Sequence, residues 1–274
     1  MNRTRSCVLA MAAMMLMPGL AEAASGTALG VDPDATAERS SGNTVLTVGA
    51  DIFIGDRVVT GADGLVQIKF EDKTELVVGP DSALVIEDYL LRDDGSAGKL
   101  AVDALSGTFR FVTGAAPKDR YAITTPSGTI GVRGTAFDFV VKEDETSVLL
   151  YEGAVNLCNN DGECVVVDDY CEVGVADFSD SEILGFTDNI SGEDRVSLKS
   201  LFPYATDESD LMTIFRIAEA RRCLNKPPAP AGGGSPATST GGGGDGCITV
   251  GSAEPETYCP GDAGYDYIKA GGLD

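Results

Sequence analysis

The sequence has no histidine and no tryptophan, and only 20 Lys and Arg stand against 43 Asp and Glu. Each shortage excludes something. Without histidine there is no Ser-His or Cys-His nucleophile pair, and the commonest transition-metal ligand is missing. Without tryptophan, and with eight Tyr, a sugar-stacking platform would have to come from Tyr or Phe. The acidic excess repels nucleic acid and anionic membranes, so neither is expected as a partner. Acidic pairs occur, but in turn-like polar settings rather than a cleft holding the two carboxyls a glycosidase needs. No catalytic residue is expected, and the chain reads as a non-enzyme that needs no cofactor.

Long apolar runs are also scarce. Val8 to Leu16 is one, following Arg3 and Arg5 and broken by Pro18 and Gly19. It falls short of the roughly 20 residues that span a bilayer. Ala21-Glu22-Ala23 supplies a small-x-small site, so residues 1–23 read as a signal peptide cleaved after Ala23. The mature chain would keep 18 basic and 42 acidic residues, a net charge of −24. A periplasmic or extracellular location without membrane insertion is therefore expected. Losing Cys7 leaves Cys158, Cys164, Cys171, Cys223, Cys247 and Cys259, an even number that fits disulfides in an exported chain. No C-x-x-C pair is present, which speaks against a thiolate metal site. The Asp-rich turns at Asp32-Pro33-Asp34, Asp93-Asp94, Asn159-Asn160-Asp161-Gly162-Glu163 and Asp168-Asp169 fit no calcium loop, and acids are ordinary turn residues, so no metal site is assigned.

What is present is a succession of short β runs. Val66, Ile68 and Phe70 alternate with Gln67 and Lys69, and Phe109-Arg110-Phe111 and Phe137-Asp138-Phe139 repeat that period. Thr60-Gly61-Ala62-Asp63-Gly64, Gly79-Pro80-Asp81-Ser82 and Asp93-Asp94-Gly95-Ser96 supply turns. The expected fold is all-β, a sandwich or roll, over residues 44–200, with residues 24–43 as a flexible lead-in. One helix is expected within 201–225: Asp207, Glu208 and Asp210 open it, Leu211, Ile214, Phe215 and Ala218 form its stripe, and Arg216, Arg221 and Arg222 lie toward its end. Residues 226–246, rich in Pro, Gly, Ser and Thr, read as a disordered linker, and 247–274 as a short acidic tail.

The cysteines allow a map from local geometry. Cys158 and Cys164 flank a hairpin with a three-residue loop, Asn160-Asp161-Gly162, and should face each other across it. A two-residue Asp161-Gly162 turn would instead pair Cys158 with Val165. Cys247 and Cys259, beyond the linker, most easily find each other, which leaves Cys171 for Cys223.

Several segments in order resemble the FecR domain, the periplasmic part of a family of envelope signalling proteins. They are Val58-Val59-Thr60-Gly61-Ala62-Asp63-Gly64, Val66-Gln67-Ile68-Lys69-Phe70, Val78-Gly79-Pro80-Asp81-Ser82 and Ser106-Gly107-Thr108-Phe109-Arg110-Phe111. Thr124-Thr125-Pro126 then leads to Ile130-Gly131-Val132-Arg133-Gly134-Thr135-Ala136-Phe137, and Glu152-Gly153-Ala154-Val155 closes the series. The family's Asp-Gly-Ser/Thr turn is replaced here by Asp72-Lys73-Thr74. The resemblance implies a FecR-like antiparallel roll or sandwich and an envelope role. It does not imply transcriptional signalling, because the expected cleavable signal stands where such regulators have a sigma-factor segment and a membrane helix. Gly128, Gly131 and Gly134 read as sites of a bulge or close backbone approach rather than a phosphate loop. Arg133 and Thr135 are the candidate binding residues. Arg133 reads either as a structural ion-pair partner of an acid such as Asp138 or as an exposed anion contact. The expected partner is an envelope protein, or alternatively a glycan or small ligand. Calcium-dependent adhesion is a third reading that rests on acidity alone.

Overall fold

A computed structural model of the chain describes residues 24–114, 120–187, 190, 192–225, 248–250 and 256–258. The expected signal peptide, the expected linker, Cys247 and Cys259 lie outside the described residues. The chain divides into two units, residues 1–229 and 230–274.

The first unit opens with β1 (Gly26–Val31), β2 (Ala35–Glu38), β3 (Thr44–Val45), β4 (Asp51–Ile52) and β5 (Arg57–Thr60). Next come β6 (Val66–Phe70), β7 (Glu75–Val78), β8 (Ala83–Leu91), β9 (Ala97–Val112) and β10 (Tyr121–Thr125). β11 (Gly128–Val141), β12 (Glu145–Asn159), β13 (Cys164–Val167), β14 (Glu172–Asp177) and β15 (Ser181–Phe186) complete a single 15-stranded sheet. The class is all-β, as the alternation predicts. Pairing is antiparallel except between β9 and β10, which run parallel. Residues 24–43 are not a loose lead-in. Ala28 of β1 and Ala35 and Ala37 of β2 are fully buried, and β1 pairs with β6 while β2 pairs with β5.

Three long strands change partners along their length, which rolls the sheet around one core. The first half of β9 pairs with β8 and β10, and its far half with β7 and β11. There Phe111 meets Phe137, Arg110 meets Asp138 and Phe109 meets Phe139. The aromatic side of this ladder fills the core: Phe109 and Phe139 stack at 4.8 Å, and Phe111 lies 5.8 Å from both Phe137 and Tyr121. β11 makes its own switch between Arg133 and Ala136, where the register breaks. Gly134 (φ +66°) lies at that break, and Gly153 (φ +86°) faces it from β12. A Cβ on Gly153 would stand 2.1 Å from the Gly134 carbonyl oxygen, so two glycines are needed for the strands to bend together.

The other side of the Arg110–Asp138 rung is covered by the C-terminal segment. α1 (Gly192–Leu201) begins with Glu193 and Asp194 and has Lys199 in its last turn, in accord with the helix dipole. A 3-10 turn, Pro203–Ala205, a second, Thr213–Phe215, and α2 (Ala220–Asn225) follow. The expected continuous helix through Leu211 and Ala218 is thus replaced by loop and 3-10 turns, with regular helix only at its end. Side chains intercept the backbone groups a helix would pair: Gln67 accepts from Met212 N at 2.7 Å, and Glu208 accepts from Ile217 N at 2.9 Å. Gln67 is accordingly buried, not on a solvent face as alternation alone suggests. Leu211 and Phe215 bury against Leu65 and Val77, while Ile214 stays exposed.

Two disulfides join these parts. Cys158 faces Cys164 across the β12–β13 hairpin, with Gly162 at φ +86°, so the three-residue loop sets the register. Cys171 bonds Cys223 of α2 and ties the covering segment to the sheet. In the second unit β16 (Ile248–Val250) pairs antiparallel with β17 (Glu256–Tyr258).

Candidate functional site

The segment from Thr124 to Thr135 lies mid-sheet, and its outward residues form a continuous exposed face. Cross-strand partners share a face of the sheet. One transverse row therefore runs Asp103, Thr124, Thr129, Cys158, Cys164, from β9 to β13. The next runs Ala101, Ala122, Gly131, Asn156, Val166. Arg133 stands two residues beyond Gly131 with Ala154 opposite. Ala122, Thr124, Thr129, Arg133, Asn156 and Val166 are all exposed. Small side chains make this face flat, and Arg133 projects from it beside the double-glycine bend.

Arg133 forms no ion pair with Asp138. That carboxylate belongs to Arg110, whose Nε and Nη2 reach Oδ1 and Oδ2 at 2.6 and 3.0 Å. Arg133 is exposed and makes no hydrogen bond or ion pair among the described residues. Thr135 is different. It is buried, and its backbone is bracketed by Thr113, whose Oγ1 accepts from Thr135 N at 2.9 Å. Its own Oγ1 is buried without a partner among the described residues. Thr135 therefore positions the bend and is not placed to meet a ligand, so the structure does not bring the two candidate residues together on one surface.

The arginine that alternation hid is Arg110, 1% exposed. It also binds Glu208 through Nη1, and its guanidinium lies 5.4 Å from the Tyr151 ring centre and 5.6 Å from that of Tyr204. Tyr151 OH donates to Asp138 at 2.6 Å. Burial opposes the guanidinium charge, but Asp138 overrides it and holds Arg110 protonated. Burial and the Asp138 charge push the Tyr151 hydroxyl well above its ordinary value, and burial does the same for Tyr204. This closed network, one guanidinium between two carboxylates, anchors the covering segment and offers no reacting atom to solvent.

Another buried carboxylate, Asp72, closes the β6–β7 turn. It accepts from Thr74 N at 3.2 Å, Thr74 Oγ1 at 2.7 Å and Tyr121 OH at 2.8 Å, and its own N–H donates to Tyr89 OH at 2.9 Å. Asp168, Asp169 and Glu172 bring carboxylate oxygens within 4.8 Å of one another. Glu172 Oε2 accepts from both Asp168 N and Asp169 N, at 3.0 and 3.3 Å, so the cluster already has a turn-closing role. A cavity of about 560 Å³ is lined by Arg39, Ser40, Ser41, Phe53, Ile54, Gly55 and Asp56. Arg39 binds both Asp56 oxygens there and covers one face of Phe53 at 4.9 Å. Tyr89, Tyr121, Tyr151 and Tyr204 are buried, so none of them lines a groove with Arg133.

An all-β domain with a bent, exposed sheet face is the class that fold and face define. Residues 56–156 match the family described as FecR protein, and the chain carries a FecR domain. No curated protein matches the sequence. Two crystal structures of a candidate anti-sigma factor from Parabacteroides distasonis ATCC 8503 are similar at 14% and 13% identity, with TM-scores of 0.38 and 0.39. They cover 47% and 53% of this chain, and this chain covers 57% and 63% of theirs, short of two thirds of their length. A structure described as a cell surface anchoring domain is 39% identical over 22% of this chain and 82% of its own, with a TM-score of 0.22.

Proposed function

We propose that this chain is a non-enzymatic interaction module of the bacterial envelope that binds a protein partner through the exposed face around Arg133. The observation that carries this reading is the setting of Arg133: an exposed guanidinium with no partner among the described residues, on a flat field of Ala, Thr, Gly and Asn. A glycan site would call for aromatic walls beside the polar contact, and Tyr89, Tyr121, Tyr151 and Tyr204 are turned into the interior. A flat face with one planar bidentate donor suits a carboxylate set in a protein surface. The FecR domain supports an interaction role, and the disulfides fit an oxidising compartment. Among the described residues no helix is long and apolar enough to cross a membrane.

The test is capture from envelope extract by the mature protein and by Arg133→Glu. Arg133 is exposed, so the variant should unfold like the parent while its capture of the partner falls by about tenfold or more. Undiminished capture by Arg133→Glu, or selective binding to glycans on an array, overturns this reading.

A further inference from the structure

The sheet ends on one side in β15. Among the described strands it pairs only with β14, so one row of its backbone N–H and C=O groups is open. The other end of the path, β4, has two residues, whereas β15 has six. Open edges are ordinarily guarded by Lys, Pro or a covering element. β15 contains neither residue, and Leu184 and Phe186 are 47% and 38% exposed on it. Phe178, in the turn before it, is 52% exposed, and Val166 of the nearby β13 is 54% exposed. The bulge opposite Val173 and Gly174 twists the strand without removing these side chains from solvent.

Charge narrows the choice of occupant. Between Lys142 and Arg195 the chain has 52 residues with fifteen Asp and Glu and not one Lys or Arg. β12 to β15 all lie in that span, and Asp177, Asp180 and Glu182 flank or belong to the open edge. A second copy would bring two such edges together, and like charges facing each other across a ladder destabilise it. An anionic lipid surface is repelled in the same way. An incoming strand with Lys or Arg on one side and apolar residues on the other meets both features of this edge.

We infer that β15 is a strand-addition site for an extended, cationic segment of a partner protein. This assignment rests on the reading that the ligand is a protein. The added strand would take up the open backbone row, cover Leu184 and Phe186 with its apolar side, and set its cations against Glu182 and Asp180.

The probe is a short peptide alternating Val and Lys, with a Val and Glu peptide as its control, added to the mature chain. Hydrogen exchange should slow at residues 181–186 with the cationic peptide only. Binding should weaken about tenfold as salt is raised through the range that screens exposed charges. The double variant L184K/F186K, at two exposed positions, should lower affinity about tenfold or more while unfolding like the parent. No added protection at 181–186, or equal binding of both peptides, overturns the assignment. So does a concentration-dependent dimer that protects the edge, which would make a second copy the occupant. Envelope capture separates the two levels: a partner held equally by L184K/F186K but lost with Arg133→Glu leaves the protein-binding reading standing and removes the edge from it.

Discussion

Lys73 occupies a left-handed backbone position, φ +72°, at the tip of the β6–β7 turn. A Cβ-bearing residue pays roughly 1–2 kcal/mol there, whereas glycine does not. The family turn with glycine has become Asp72-Lys73-Thr74 because its neighbours over-determine it: the Asp72 carboxylate, bound by Thr74 and Tyr121, closes the loop whatever stands between. Lys73→Gly should therefore raise stability, by up to about 1 kcal/mol once the greater freedom of glycine in the unfolded chain is subtracted. Urea unfolding of parent and variant measures it, and a lower midpoint would show that the Lys73 side chain contributes more than its backbone costs. Arg110 shows the limit of reading residues singly. Phe109-Arg110-Phe111 predicts an outward arginine, and the prediction is right about the face and silent about its cover. Glu208 lies 98 residues away, and no local spacing announces that it will return to bury the pair.

At the scale of elements, legibility followed how local the determining contacts are. The β12–β13 hairpin was readable because Gly162, the loop length and the two cysteines all lie within seven residues. β1 and β2 were not, since Gly26, Ala28, Ala35 and Ala37 give little hydrophobic signal and gain their burial from β5 and β6. The stripe Leu211, Ile214, Phe215 misled because a 3-10 turn can bury two of those three as well as a helix can. The two disulfides should differ in strength and in reach. In the loop-entropy account, the Cys171–Cys223 bond, closing 52 residues, contributes on the order of 4 kcal/mol, and the hairpin bond about 2 kcal/mol. Replacing Cys171 and Cys223 by serine should lower thermal stability more than replacing Cys158 and Cys164. It should also speed hydrogen exchange over residues 202–225, which the hairpin replacement should leave unchanged. The opposite ranking would mean that Arg110, Glu208 and Gln67 hold the segment without a covalent tie.

At the scale of the molecule, the first unit is complete within its own sheet, its aromatic core and the segment over Arg110. A chain of residues 24–225 should therefore unfold within about 2 °C of the mature protein, by calorimetry. A larger drop would show that residues 226–274 contribute to its stability. The placement of Cys223 has a further consequence, for the order in which the molecule is made. A chain that emerges from its N-terminus presents Cys158, Cys164 and Cys171 together, 52 residues before the proper mate of the third appears. The hairpin forms fast and on its own, so it sequesters two of the three thiols early and leaves Cys171 waiting. Any mixed bond made in that interval has to be exchanged before the sheet can receive its cover. Closing the Cys171–Cys223 bond thus falls late in synthesis, when nearly all of the β domain has already been built, and it needs exchange only where Cys171 has first bonded the wrong thiol.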